Sequence, residues 1–182
     1  MIEVEKKFQP TEEQLTAMLE GAEFVGEVVN HDVYYDYPDY RLHREGSCFR
    51  KRNNNFELKI KLFKNAKKEI EDEQEIKRYF GTNAPLQDFI DNNLLVLTDF
   101  KNTRKKYKKE GFSIDLDNMD FGYTMCEMEL MVEREDQIDE ARNLLAEFME
   151  QYGIEDNKIP TKRAAYLMKY KPELYKELYG DK

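Results

Sequence analysis

Several residue types are scarce in this 182-residue chain, and each scarcity closes off a class of protein. Tryptophan is absent, and there are only two cysteines, two histidines and five prolines. Cys48 and Cys126 sit in charged, strand-like contexts, which predicts free thiols in a reducing compartment and no disulfide. His31 and His43 are too few and too scattered for a histidine-rich metal site. Any bound metal would therefore take carboxylate ligands, and these select hard cations such as Mg2+ or Mn2+. No stretch approaches ~18 consecutive apolar residues and the charged N-terminus has no apolar signal region, so no membrane is expected and the predicted location is cytoplasmic. Positive charge is also short: 29 Lys and Arg against 38 Asp and Glu leave a net charge of −9. That disfavours a general nucleic-acid-binding surface while leaving room for a local basic site. Repeats, linkers and composition breaks are lacking too, and residues 1–182 read as one domain.

What is present is aromatic and charged. Twelve Tyr and eleven Phe argue against disorder, and the length suffices for a real core. Helix signals are clear in "TEEQLTAMLEGA", where Thr11 and Gln14 form a capping box ahead of Leu15, Met18 and Leu19. "NAPLQDFIDNNLL" and "DQIDEARNLLAEFMEQYG" read likewise, the second stopped by Gly153, and "TKRAAYLMKY" and "PELYKELY" make a helical pair parted at Pro172. Strands are expected in "MIEVEKKF", "HDVYYDY", "SCFRKRN", "NFELKIKLF", "DEQEIKRYF", "DFKNTRKKYKK", "FSIDLDNM" and "TMCEMELMVE". The first half of the charge-dense "KNAKKEIEDEQE" (64–75) reads as a solvated hairpin connection. About eight mostly consecutive strands point to an antiparallel sheet with helices inserted or appended, an α+β chain.

The strand faces carry the functional signal. Period 2 separates Phe56, Leu58, Ile60 and Leu62 from Glu57, Lys59 and Lys61, and Phe112, Ile114 and Leu116 from Asp115 and Asp117. It likewise opposes Cys126, Met128 and Leu130 to Glu127 and Glu129, pairs Arg50 with Arg52, and sets Glu3, Glu5 and Lys7 on one face. "DEQEIK" read as a strand groups Glu73, Glu75 and Lys77. A wet outer face is the ordinary explanation for one such strand. Here strand after strand bears pairs of like charge, which repel unless opposite partners face them. Closing the sheet into a barrel would bring these faces together across a lumen. Cations beside carboxylates suit polyphosphates, whose oxygens take Arg and Lys and whose accompanying Mg2+ takes carboxylates.

The motifs resemble those of the CYTH superfamily, the triphosphate tunnel metalloenzymes. "EVEKK" (3–7) is similar to its Glu-x-Glu-x-Lys signature, and "YYDYPDYRL", "FRKR", "FELKIK", "DLDNMDFGY" and "CEMEL" follow in the family's order. "DFGY" and the ending "IPTKRAAYLMKYKPELYKEL" look like the thiamine triphosphatase branch. The resemblance implies an eight-stranded antiparallel closed β-barrel with flanking helices. It also implies metal ligation by Glu3, Glu5, Asp115, Glu127 and Glu129, with Asp117 a weaker candidate. Phosphate oxygens would be held by Lys7, Arg50, Arg52, Lys59, Arg104 and Lys162, and the catalytic set would be Lys59, Arg52 and Glu75.

One departure bears on substrate. Vertebrate-type thiamine triphosphatases carry a Trp two residues before the first Arg of the "FRKR"-like strand, where this chain has Cys48. Stacking on a cationic heteroaromatic ring would need another aromatic residue, such as a tyrosine. The expected activity is hydrolysis of the terminal phosphate of thiamine triphosphate, inorganic tripolyphosphate or both, with Mg2+ or Mn2+, by a monomer or homodimer. The alternatives are a class IV adenylate cyclase and a non-enzymatic polyphosphate-binding module.

Overall fold

The computed structural model describes residues 1–63 and 66–180, and its strands close on themselves. In chain order they are β1 (Ile2–Phe8), β2 (Glu23–Asp36), β3 (Cys48–Arg52), β4 (Asn55–Phe63), β5 (Ala66–Ile70), β6 (Leu95–Lys109), β7 (Phe112–Met119) and β8 (Thr124–Val132). Around the barrel the order is β1-β5-β4-β3-β2-β6-β7-β8, and each neighbouring pair runs antiparallel. Closure comes from β8 pairing back onto β1, from Ile2 opposite Val132 to Phe8 opposite Cys126. The connections carry α1 (Glu12–Leu19), α2 (Arg41–Arg44), α3 (Glu73–Phe80), α4 (Leu86–Asn93), α5 (Ile138–Gln151), α6 (Lys162–Tyr170) and α7 (Pro172–Tyr179). Among the described residues no helix is long and apolar enough to cross a membrane.

The apolar faces of the strands point outward, so the core lies between the barrel wall and the helices. On one side Val4, Phe8, Ile114, Cys126 and Met128 pack against Leu145, Phe148 and Met149 of α5 and Met18 of α1. A second cluster joins Phe49, Phe56, Leu58 and Ile70 to Leu42, Ile76, Leu86 and Ile90 from α2, α3 and α4. A third sets Leu97, Phe100, Met119 and Met125 beneath Ala165 and Leu167 of α6, with Leu174 and Leu178 of α7 at its margin. α1 begins as its sequence predicts: Thr11 accepts from the Gln14 N–H at 3.2 Å, and the Gln14 side chain accepts from the Thr11 N–H at 2.9 Å. The β3–β4 turn uses the tolerance of Asn for left-handed backbone, with Asn53 at φ 53°.

Two readings of the charged middle segment are corrected. The run 72–80 forms helix α3 (Glu73–Phe80) with Asp72 as its cap, and not a strand. Asp72 caps it by accepting from the Glu75 N–H at 2.8 Å, Ile76 and Phe80 lie one turn apart on the packed face, and Gly81 ends it at φ 66°. Alternation of Glu73, Glu75 and Lys77 mimicked a strand because both faces of this short helix are rich in charge. The fifth wall is instead β5, within the run read as a hairpin connection; residues 64 and 65 of that run lie outside the described residues. β2 and β6 also run longer than predicted, and a short helix, α2, follows Pro38. It is held by the buried Asp36 carboxylate, which accepts from the N–H groups of Leu42 and His43 at 3.1 and 2.9 Å.

Leu145 is fully buried where α5 meets the wall. Leu145→Ala should cost about 2–5 kcal/mol, the range for a cavity left in a packed core. Urea unfolding should show the midpoint fall at unchanged slope; a loss below about 0.5 kcal/mol would mean that α5 does not clamp the barrel.

Candidate functional site

The inward faces enclose a cavity of about 330 Å³ lined almost wholly by charged side chains. Cross-strand register explains how so much charge is tolerated. Arg50 stands opposite Glu57, Lys59 opposite Glu69, Arg52 opposite Asp32, Arg104 opposite Asp117 and Lys7 opposite Glu127. Each pair puts unlike charges at neighbouring positions of one sheet face, where attraction is short-ranged and poorly screened.

Contacts follow the register. Arg104 holds Asp117 with two N–H donors, both at 2.7 Å, and also contacts Asp115 at 2.5 Å and Glu127. Lys162, delivered from the first turn of α6, donates to Glu127 at 2.9 Å and meets Asp117 at 2.5 Å. Lys59 bridges Glu3 and Glu69 at 2.7 and 2.8 Å, Arg52 grips Asp32 at 2.7 and 3.0 Å, and Lys67 reaches Glu5 at 2.8 Å. Arg50 binds Glu57 and donates to the Tyr34 hydroxyl at 2.9 Å. Burial alone would raise the carboxyl pKa of Glu5, Asp117 and Glu127. The cations beside them win and hold all three below the ordinary value: Lys7 and Lys67 at Glu5, Arg104 and Lys162 at Asp117, Lys162 and Lys7 at Glu127. Lys7 and Lys59 are correspondingly kept charged against burial, by Glu127 and Glu5 and by Glu3 and Glu69.

The balance fails at one place. Burial, then the charges of Glu3 and Asp115, push the Glu129 carboxyl up to about 7, and burial raises Asp115 as well. The Asp115 Oδ1 is buried without a hydrogen-bond partner. Glu129 is thus crowded by two carboxylates, Glu3 and Asp115, which have cationic partners in Lys59 and Arg104. The all-oxygen donor set and the orphaned oxygen fit a hard divalent cation.

Of the residues singled out from sequence, Glu3, Glu5, Lys7, Arg50, Arg52, Lys59, Arg104, Asp115, Glu127, Glu129 and Lys162 all line this one cavity. Asp117 is fully buried just behind it, organising Arg104 and Lys162. Glu75 does not reach it. On helix α3 its exposed carboxylate pairs with Lys68 at 2.7 Å outside the lumen, so its catalytic assignment is withdrawn. The acidic side of β5 is supplied by Glu69 and, just beyond the strand, Glu71; their carboxylates and that of Glu57 lie within 4.8 Å of one another. Alternation in "EIE" (69–71) was the available signal. Asp32, Tyr34, Lys67 and Arg163 were also missed, and the spacing around Asp32 and Arg163 offered no clue, because each is brought to the lumen by register or by helix packing.

Residues 1–161 match the CYTH domain, and the chain belongs to that family. Solved structures of similar fold include the PH1819 protein from Pyrococcus horikoshii OT3, 22% identical with a TM-score of 0.66 over 91% of this chain and 97% of that one. HpAC1 from Hippeastrum, an adenylyl cyclase candidate with a dominant triphosphatase activity, is 19% identical with a TM-score of 0.57 over 92% and 95%. An adenylate cyclase candidate from Vibrio parahaemolyticus is 18% identical with a TM-score of 0.62 over 90% and 96%. No curated protein matches the chain.

Two measurements follow from this electrostatic arrangement. Glu129 titrates near 7 when folded against an ordinary value of 4.5, so its neutral form favours the native state below about 4.5 and that contribution is lost as pH rises through about 7. In EDTA, the melting temperature of Glu129→Gln should equal that of wild type at low pH, then exceed it increasingly up to pH 7 and level off. A difference independent of pH would refute the convergence of charge. Separately, burial pushes the Cys126 thiol up to about 12, while the half-buried Cys48 faces the cavity. Dithionitrobenzoate at pH 8 should label one thiol in the native protein, Cys48, with Cys126 reacting only in denaturant.

Proposed function

We propose that this protein is a divalent-metal-dependent triphosphatase, removing the terminal phosphate of inorganic tripolyphosphate, thiamine triphosphate or both inside the barrel. The observation that carries this reading is a closed lumen in which a row of fixed cations runs beside a set of carboxylates, one of which, Glu129, forms no ion pair among the described residues. A linear triphosphate needs both: guanidinium and ammonium donors for its oxygens, and acidic ligands for the metal that accompanies it. Glu3, Asp115 and Glu129 would hold Mg2+ or Mn2+, with Glu5 and Glu127 completing the set. The bound cation would supply charge neutralisation at the phosphate oxygens.

The chain's own residues then do what phosphoryl transfer chiefly requires, positioning and charge stabilisation. Arg50, Arg52 and Lys59 on adjacent strands would hold one side of the phosphate chain, and Lys7, Arg104 and Lys162 the other. Each is already fixed by a carboxylate, so little reorganisation is needed as charge shifts toward the leaving phosphate. Water attacks the terminal phosphorus and the bond to the bridging oxygen breaks. The walls of the barrel limit access by other nucleophiles. The triphosphatase activity of the structurally similar HpAC1 is consistent with this chemistry.

A cyclase reading has the fold of the Vibrio neighbour in its favour. Against it, Tyr34 is the one aromatic side chain lining the cavity among the described residues, and its ring already lies against Phe100, leaving poor provision for adenine. Phosphate release from tripolyphosphate, thiamine triphosphate and ATP, with cyclic product assayed in parallel, separates the readings. A thermal shift with Mg2+ and tripolyphosphate supplies an independent measure, since a ligand at 100-fold its Kd adds about 2.7 kcal/mol. Arg52→Gln should lower kcat/KM at least tenfold, because a charge-assisted contact in a closed site is worth roughly 1.5–3 kcal/mol and 1.36 kcal/mol is tenfold. A change under twofold would remove Arg52 from the phosphate-binding set.

A further inference from the structure

Arg163 differs from the other cations of the lumen. Lys7, Arg50, Arg52, Lys59, Lys67, Arg104 and Lys162 each contact a carboxylate. Among the described residues Arg163 forms no ion pair; Lys106 shares that property but is exposed. Arg163 is the second residue of α6, half-buried, and lines the cavity beside Cys48 and Tyr34, with its side chain hydrogen-bonded to Tyr179. Its guanidinium carbon stands 5.9 Å from the centroid of the Tyr34 ring. The same ring carries Arg50 at 5.7 Å and stacks on Phe100 at 5.9 Å, so the aromatic surface at this end is already used by the protein's own cations.

Position matters as much as charge. Lys162, the neighbour of Arg163, meets Glu127, which stands opposite Lys7 on the barrel wall. Glu127 in turn stands opposite Asp115, and Cys48, beside Arg163, stands opposite Lys59, which holds Glu3 at 2.7 Å. Arg163 therefore adds to this lining a guanidinium that no carboxylate neutralises.

We propose that Arg163 is a specificity-determining residue that binds a substrate phosphate beside Cys48 and Tyr34, selecting a triphosphate that is anionic at both ends. Inorganic tripolyphosphate has that character. A triphosphate ester ending in an organic cation would set like charge against Arg163 and find no open ring to stack on. A guanidinium fork offers two parallel donors to a phosphate, which makes Arg the suited residue for an unesterified end. This inference rests on the triphosphatase reading.

The test compares kcat/KM for tripolyphosphate and thiamine triphosphate in wild type, Arg163→Gln and Arg163→Lys at one Mg2+ concentration. Arg163→Gln should lower the tripolyphosphate-to-thiamine-triphosphate ratio tenfold or more, chiefly through KM for tripolyphosphate, and Arg163→Lys should restore most of it. A smaller change in the ratio overturns the proposal, including the case in which both activities fall together, since parallel loss marks a structural role. If Arg163→Gln does not fold, Arg163→Met, which keeps the aliphatic stem, carries the same comparison. If wild type hydrolyses neither compound, the triphosphatase reading fails, and the proposal is judged by binding alone. Thermal titration in EDTA would then have to show Arg163→Gln weakening tripolyphosphate at least tenfold relative to thiamine triphosphate; equal weakening would overturn it.

Discussion

Everything in this structure depends on the pairing of charges across the barrel lumen. An isolated carboxylate or ammonium inside a closed wall would pay a desolvation cost of several kcal/mol, and the barrel places more than a dozen such groups there. Cross-strand register resolves this by setting cations against carboxylates, as at Arg50 and Glu57 or Arg104 and Asp117. Removing one member leaves its partner buried and uncompensated, so the lining behaves as a single network. The same network holds each side chain in place before any ligand arrives.

A charged interior forces the apolar faces outward, and that requirement accounts for the helices. α5 with α1, then α2 with α3 and α4, then α6 with α7 cover separate sectors of the wall. Helix packing also serves the lumen directly. α6 buries Ala165 and Leu167 on the wall while its first turn sends Lys162 and Arg163 into the cavity. Stability and site geometry are therefore coupled through the same short helix, and loosening its apolar contacts would displace two of the lumen's cations.

Function, on the reading proposed above, resides where the pairing is incomplete. Glu129 is crowded by Glu3 and Asp115 and forms no ion pair among the described residues, and Arg163 has no carboxylate partner there. A ligand carrying a metal at one end and phosphate oxygens along its length would compensate both. The paired groups around them, already ion-paired and largely buried, form the rigid walls along which such a ligand would lie.

Much of this was legible in the sequence because a strand's period of two displays its faces directly. Glu3, Glu5, Lys7, Arg50, Arg52, Lys59, Asp115, Glu127 and Glu129 could be assigned to one face, and α1 and α5 to helices, from local pattern alone. The charged segment 66–80 defeated the same method, since Glu69, Glu71, Glu73 and Glu75 alternate without a break. Whether such a run is a strand or a helix is decided by what it packs on: Ile70 and Ile76 insert into the same apolar cluster, but from a strand and from a capped helix. Alternation therefore showed that a carboxylate faces the lumen near this point, while only the tertiary structure decided that it is Glu69 and not Glu75. That Arg163 finds no carboxylate among the described residues was equally invisible in sequence, because the absence of an opposite charge is a property of the whole assembled lumen and of no local stretch.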